Sequence, residues 1–221
     1  MLPIPSAREL LRRVPRVVFG LVLFGVGVSM MILANLGLSP WVVFHQGVSL
    51  HTGLTIGVVT IITGIAVLLL WIPLRERIGI GTVLNVMTIG VVIDAVLWIA
   101  PDTIDQLWLR LVLMVGGVVT VATGSGFYIG GGLGPGPRDG VMTGLARRGV
   151  PIGIARIGIE VTVLVAGWLL GGTVGVGTVL FAFGVGPLIH VLLPKLSLDP
   201  LPSRSAEDDD HASVKNRPST S

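Results

Sequence analysis

The chain has 221 residues, of which 52% are hydrophobic and only 12% charged, with a mean hydropathy of +0.89. Soluble domains carry about 25% charged residues, so too little charge is present to cover a water-facing surface, and a lipid-facing protein is expected. The formal net charge of +3 does not point to nucleic acid, because the basic residues form short clusters between apolar runs, and the lack of cysteine excludes disulfides, thiolate metal sites and cysteine nucleophiles.

In chain order, Arg8, Arg12, Arg13 and Arg16 precede a first apolar run over 17–34. That run exceeds a signal-peptide core and has no small-x-small cleavage site after it, so a retained signal anchor is expected. Further runs over 54–72, 78–100, 107–129, 152–170 and 174–193 are each near the roughly 20 residues that a helix needs to cross a bilayer. Pro73, Pro101 and the Gly149-Val150-Pro151 step separate them by helix-breaking chemistry, and Gly171-Gly172-Thr173 reads as a tight hairpin. Arg75 and Arg77 follow the second run, Arg138, Arg147 and Arg148 the fourth, and Lys195 the sixth. The alternate connections carry no basic residue, Arg110 at the edge of the fourth run apart. This alternation predicts six spans with both termini cytoplasmic. From Ser203 onward the chain is polar, with Glu207, Asp208, Asp209 and Asp210 in succession, and is expected to be a disordered cytoplasmic tail.

Two segments interrupt this pattern. One is 35–41, NLGLSPW; the other is 130–140, GGGLGPGPRDG. They belong to two similar halves. Gly27 pairs with Gly124, Leu36-Gly37 with Leu133-Gly134, Pro40 with Pro137 and Gly47 with Gly144. After a one-residue deletion, GIGTVL at 79–84 pairs with GVGTVL at 175–180. Each half holds an odd number of spans, so the copies must lie in opposite senses, as in many secondary transporters, whose sites tend to lie where helices are broken near the midplane. The expected architecture is an all-α polytopic membrane protein: a cytoplasmic segment 1–16, membrane repeats 17–100 and 107–194, and a tail 195–221. Each repeat carries a short broken helix, re-entrant or interfacial.

The short segments follow the breaks, over 41–52 and 138–148. In the second, Pro137 suits a first helical turn, Asp139 an N-terminus, and Arg147 and Arg148 a C-terminus. The flexible glycines before it, Gly134 and Gly136, permit close approach, and the unpaired N–H groups of such a helix start can face an anionic group. If the segment lies flat at the interface instead, it is structural only. Gly134, Gly136, Arg138, Asp139, Trp41 and His45 are therefore the candidate substrate-binding residues. GLGPG lacks the spacing of a nucleotide fingerprint, and no P-loop occurs.

Ionisable residues within spans are functional candidates. Arg156 and Glu160, four apart, share a helix face and lie roughly 6 and 12 Å in from the helix start. They form either a self-neutralising pair or a coupling site. Asp94, in the third run, has no partner near it in sequence. Asn85 and Asp94 point to opposite sides of an ideal helix. His45 and His51, six apart, do not share a face, and no metal site is expected. Glycines four apart (Gly53/Gly57, Gly149/Gly153, and Gly167, Gly171, Gly175) are expected to allow close helix packing. No catalytic constellation emerges, so the chain is not read as an enzyme.

The motifs GLSPW with His45-Gln46-Gly47, LWIPLR at 70–75 and GLGPGPRDG at 132–140 together resemble the YczE-like family of bacterial integral membrane proteins, related to the YyaS/YitT group. The resemblance runs from about Arg16 to Leu193 and implies residence in the bacterial cytoplasmic membrane. That family's pattern has an acidic residue after the tryptophan; this chain has Val42 there and keeps Asp139 in the second copy. The family implies no defined activity. The residues favour a small secondary transporter or exporter; the alternative is a membrane accessory protein acting through a partner. The expected surroundings are the lipid bilayer and an unspecified small-molecule substrate, with no cofactor, no metal and no nucleic acid. Pairing with a second copy stays open.

Overall fold

The computed structural model describes residues 7–101 and 103–198; the acidic stretch of the tail lies outside them. Among these residues the chain is all helix: α1 Ala7–Ala34, α2 Pro40–Thr52, α3 Ile56–Leu69, α4 Trp71–Leu74, α5 Ile80–Ile99, α6 Leu107–Ile129, α7 Pro137–Ala146, α8 Ile152–Leu169 and α9 Val176–Leu196. Six helices, counting α3 and α4 as one, are long and apolar enough to cross a membrane. Their ends follow the local chemistry. Thr55 caps α3 by accepting from the Val58 N–H, and Pro40 and Pro137 occupy the first turns of α2 and α7. Gly53 (φ 71°) closes α2 in the left-handed region.

The bundle has two ends. Arg16 donates to the Leu196 carbonyl, and Leu198 N–H donates to Gly130 O at 3.0 Å. These contacts gather the start of α1, the finish of α6 and the finish of α9 at what is here called the terminal end. At the opposite end the Gly177 N–H donates to Leu36 O (2.8 Å), and the Leu38 N–H to Thr173 O (3.2 Å). Arg110 lies there too: its Nε–H donates to Ala34 O at 2.7 Å and its terminal nitrogen to Asn35 O at 2.6 Å. The basic residue that breaks the charge alternation is thus neutralising the carbonyl end of α1. Trp98, Trp108 and Trp168 are 87%, 66% and 62% exposed and all sit near the opposite end, as an interfacial aromatic belt would.

The centre is the crossing of α1 and α6. A methyl on Gly20 would lie 2.7 Å from Gly124 O, and one on Gly124 2.5 Å from Gly20 O. Gly27 and Gly117 oppose each other in the same way, at 2.8 Å both ways. Only hydrogen fits there, so the backbones approach closely. α5 packs beside α1, and α9 beside α6. Val17, Leu21, Val28, Met31, Val118, Val121 and Ala122 fill the layers between.

The glycine spacings do two different jobs. Gly57 packs against Gly90, each occupying the space of the other's missing side chain, and Gly167 packs on the backbone of Phe44. Gly53 and Gly149, in contrast, meet nothing within 4 Å; both have positive φ (71° and 91°) and terminate helices. The expected packing role therefore does not hold for these two, which end helices, nor for Gly153, which meets nothing within 4 Å, nor for Gly171 (φ 85°), whose nearest neighbour is the Leu50 side chain at an ordinary 3.6 Å.

One contrast orders the rest. α3 and α5 are packed tightly near the opposite end through Gly57 and Gly90, with Gly64 against Val86. α8 and α9 make no comparable contact, and around Gly153 and Gly186 nothing lies within 4 Å.

Candidate functional site

The two short helices converge by their first turns. Arg138, in the first turn of α7, lays its guanidinium 4.9 Å from the centre of the Trp41 ring, in the first turn of α2. Several bonds fix the loop before α7. Tyr128 donates to Gly134 O (3.1 Å), Thr82 to Pro135 O (2.8 Å) and Trp71 Nε1–H to Pro137 O (2.9 Å). The first two take carbonyls that the glycine-proline turn leaves without a helical partner, and Trp71 adds a second donor to the first carbonyl of α7. Trp71, 1% exposed, also covers Gly140, where any side chain would overlap its ring. The Gly81 N–H donates to Leu133 O at 3.0 Å, tying the same loop to the start of α5.

Two cavities meet at Arg138. The larger, about 160 Å³, is lined by groups from α1, α5, α6, α7, α8 and α9; its polar members are Asn85, Ser125, Tyr128, Arg138, Asp139, Arg156 and Glu160. Arg156 and Glu160 form an ion pair at 3.2 Å (Nε to Oε1), and Asp139 is exposed to this space rather than packed away. The cavity thus carries two cations and two carboxylates. The smaller, about 40 Å³, lies among Trp41, His45, Thr60, Asn85 and Arg138. His45 is 2% exposed and bonds through Nδ1 to the Thr60 hydroxyl at 3.0 Å. Among the described residues no group of His, Asp or Glu side chains is arranged to hold a metal ion.

Of the residues singled out in the sequence, Gly136, Arg138, Asp139, Arg156 and Glu160 come together on the larger cavity, and Trp41, His45 and Arg138 on the smaller. Gly134 contributes its carbonyl to Tyr128 and does not line either. Asp94 lies apart. It accepts from the Thr55 hydroxyl at 2.5 Å and from the Gly57 N–H at 2.8 Å, joining α5 to the start of α3 beside the Gly57–Gly90 contact. His51 turns to Gly47 O at the other side of α2, and His190 is exposed. Sequence reasoning missed Tyr128 and Thr60. Tyr128 carried a signal, as the only tyrosine of the chain, two residues before the break. Thr60 carried none, because its partner is on another helix.

The comparisons with known proteins agree with this architecture and supply no activity. A protein of Haemophilus influenzae described as uncharacterized is 37% identical over 177 residues, covering 79% of this chain and 80% of that protein. The uncharacterized membrane protein YczE of Bacillus subtilis is 37% identical over 180 residues, covering 80% and 83%, and the uncharacterized protein YyaS of the same organism is 27% identical over 182 residues, covering 79% and 89%. No solved structure matches. The six apolar helices, the lipid-exposed surface and the likeness to YczE identify an integral membrane protein. The match to the family model extends over residues 11–194, and the chain belongs to the family of unknown function DUF6198.

Proposed function

We propose that the chain is built of two inverted three-span repeats and acts as a small secondary transporter, its site at the first turns of α2 and α7. The observation that carries this reading is the contrast between α3/α5 and α8/α9. In the repeat alignment Gly57 and Gly90 correspond to Gly153 and Gly186. The first pair is in contact and the second is parted. Two copies of one motif in two packings are what a protein needs if it opens a central site to one side at a time. The larger cavity, with Asp139, Arg156 and Glu160, borders the parted helices.

Several paired contacts support the repeat itself. Gly81 N–H to Leu133 O corresponds to Gly177 N–H to Leu36 O, and Arg13 to Gly131 O (3.5 Å) corresponds to Arg110 to Ala34 O (2.7 Å). On the positive-inside argument the terminal end, with Arg12, Arg16, Arg75 and Arg147, faces the cytoplasm, and α2 and α7 are re-entrant from opposite sides. The site is then open to the cytoplasm in this conformation.

The test is the small-molecule content of cells lacking the gene against wild type. A compound should accumulate or disappear on deletion. It should return to its wild-type level with the wild-type chain but not with Glu160→Gln or Asp139→Asn. Unchanged small-molecule content, or full restoration by both variants, would overturn the proposal.

A further inference from the structure

Two of the groups that line the smaller cavity are donors without an acceptor. The Arg138 guanidinium carbon lies over the Trp41 ring, 4.9 Å from its centre. Among the described residues no carboxylate or carbonyl takes a hydrogen bond from it. Trp41 Nε1–H is buried and has no acceptor. Both are donors, and an indole N–H can be nothing else. Leaving the buried Trp41 donor unpaired costs about 1–3 kcal/mol, so the pocket calls for an acceptor-rich partner beside the Arg138 cation. A planar guanidinium edge suits two oxygens of one group.

His45 adds a condition. The Thr60 hydroxyl donates to Ile56 O at 2.8 Å. It has no second hydrogen, so towards His45 it accepts, and Nδ1 carries the ring proton. Nε2, buried and without a partner, is then an acceptor in the neutral ring. A bare anion would set lone pair against lone pair there. A single proton between the anion and Nε2 removes that conflict. It also balances charge, since the adjoining cavity already holds two carboxylates, Asp139 and Glu160, for its two cations, Arg138 and Arg156. Arg138 is the charged group that faces His45. α3 carries no ionisable residue, nor does the half of α8 that packs on α2, and His51 points away to Gly47 O.

We propose that the cavity between Trp41, His45, Asn85 and Arg138 binds a small monovalent oxyanion together with one proton, the proton lying between the anion and His45 Nε2. The size fits: one water needs about 10–15 Å³ by the measure that gives about 40 Å³ here, so a few heavy atoms can enter. This names the substrate class of the central site and rests on the transport reading above.

The test uses the purified full chain in detergent, titrated calorimetrically with sodium formate, acetate or nitrate in Bis-Tris propane chloride buffer. At least one should bind, and its affinity should rise about tenfold per unit as the pH is lowered from about 8 to about 6, the mark of one proton taken up with it. Trp41→Phe should weaken binding about tenfold and Arg138→Gln at least about a hundredfold, with Arg138→Lys between them. His45→Gln should bind without the pH slope. A melting temperature unchanged from wild type shows that each variant is folded. Absence of binding by all three probes, binding insensitive to Arg138→Gln, or affinity independent of pH would overturn the proposal. The same probe is then followed into proteoliposomes with a pH dye inside. Binding without flux keeps the site and refutes transport; flux that survives Arg138→Gln keeps transport and refutes the site.

Discussion

Asp94 shows how a carboxylate is held inside an apolar bundle without a cation. Its two oxygens take the Thr55 hydroxyl and the Gly57 N–H, so one side chain caps the start of α3 and joins it to α5. Interhelical hydrogen bonds of membrane proteins contribute about 0.6 kcal/mol on average and up to about 1.7. Thr55→Val, which removes its bond to Asp94 and the α3 cap on the Val58 N–H together, should lower stability by about 1–3 kcal/mol, and Asp94→Ala, which keeps that cap but loses both bonds to the carboxylate, by about 1–2 kcal/mol. Thr162→Val is the control, because its hydroxyl bonds only within its own helix, to Gly158 O. Unfolding in mixed micelles gives the comparison, and equal losses for Thr55→Val and Thr162→Val would show that the Asp94 contact contributes nothing. Arg156 and Glu160 were legible as a pair, since four residues on one helix fix their distance. The partners of Asp94 were not, because no local spacing says which span lies alongside.

At the level of helices the glycines decide which contacts are fixed. Gly27→Ala would drive a methyl to 2.8 Å from the Gly117 carbonyl oxygen and from the Val121 nitrogen, both backbone atoms that cannot move aside. Destabilisation of about 1–3 kcal/mol is expected. Gly186→Ala meets nothing and should leave stability unchanged or raise it by up to about 1 kcal/mol. On the transport reading Gly186→Leu remains folded yet fails to turn over, since α8 and α9 can no longer close. Chemical unfolding and substrate flux separate the two effects, and a Gly186→Leu chain that transports normally would contradict the reading. The spans themselves were readable to within a few residues, because proline, glycine and charge mark their ends. The exception is α1, which begins at Ala7 instead of near residue 17. Hydropathy registers only the apolar part of a helix and not a continuation that carries Arg8, Arg12, Arg13 and Arg16. The short helices were legible from their breaks, but not the meeting of their first turns, which depends on how the spans pack.

For the molecule as a whole, the absence of cysteine makes single-cysteine accessibility direct. Ile93 and Ile189 are counterparts in the repeat alignment. Ile93 is 1% exposed between α5 and its neighbours, whereas Ile189 lines the larger cavity. A cysteine at 189 should react with a charged maleimide far faster than one at 93 in this conformation, and on the transport reading proposed above a substrate should reverse the order. Equal rates under all conditions would argue for one rigid packing.

The crossing of α1 and α6 carries a consequence for how such a chain can arise. Gly20 meets Gly124 and Gly27 meets Gly117, and the alignment equates Gly20 with Gly117 and Gly27 with Gly124. Each helix therefore offers its partner the surface that it receives, which is the condition for an isologous two-fold contact between identical subunits. A single three-span half, made twice and inserted in both senses, would present the same glycines to its own copy. On the inverted-repeat reading proposed above, fusion of two such halves would preserve the interface while freeing the copies to diverge, and the difference between Val42 and Asp139 would be one such divergence.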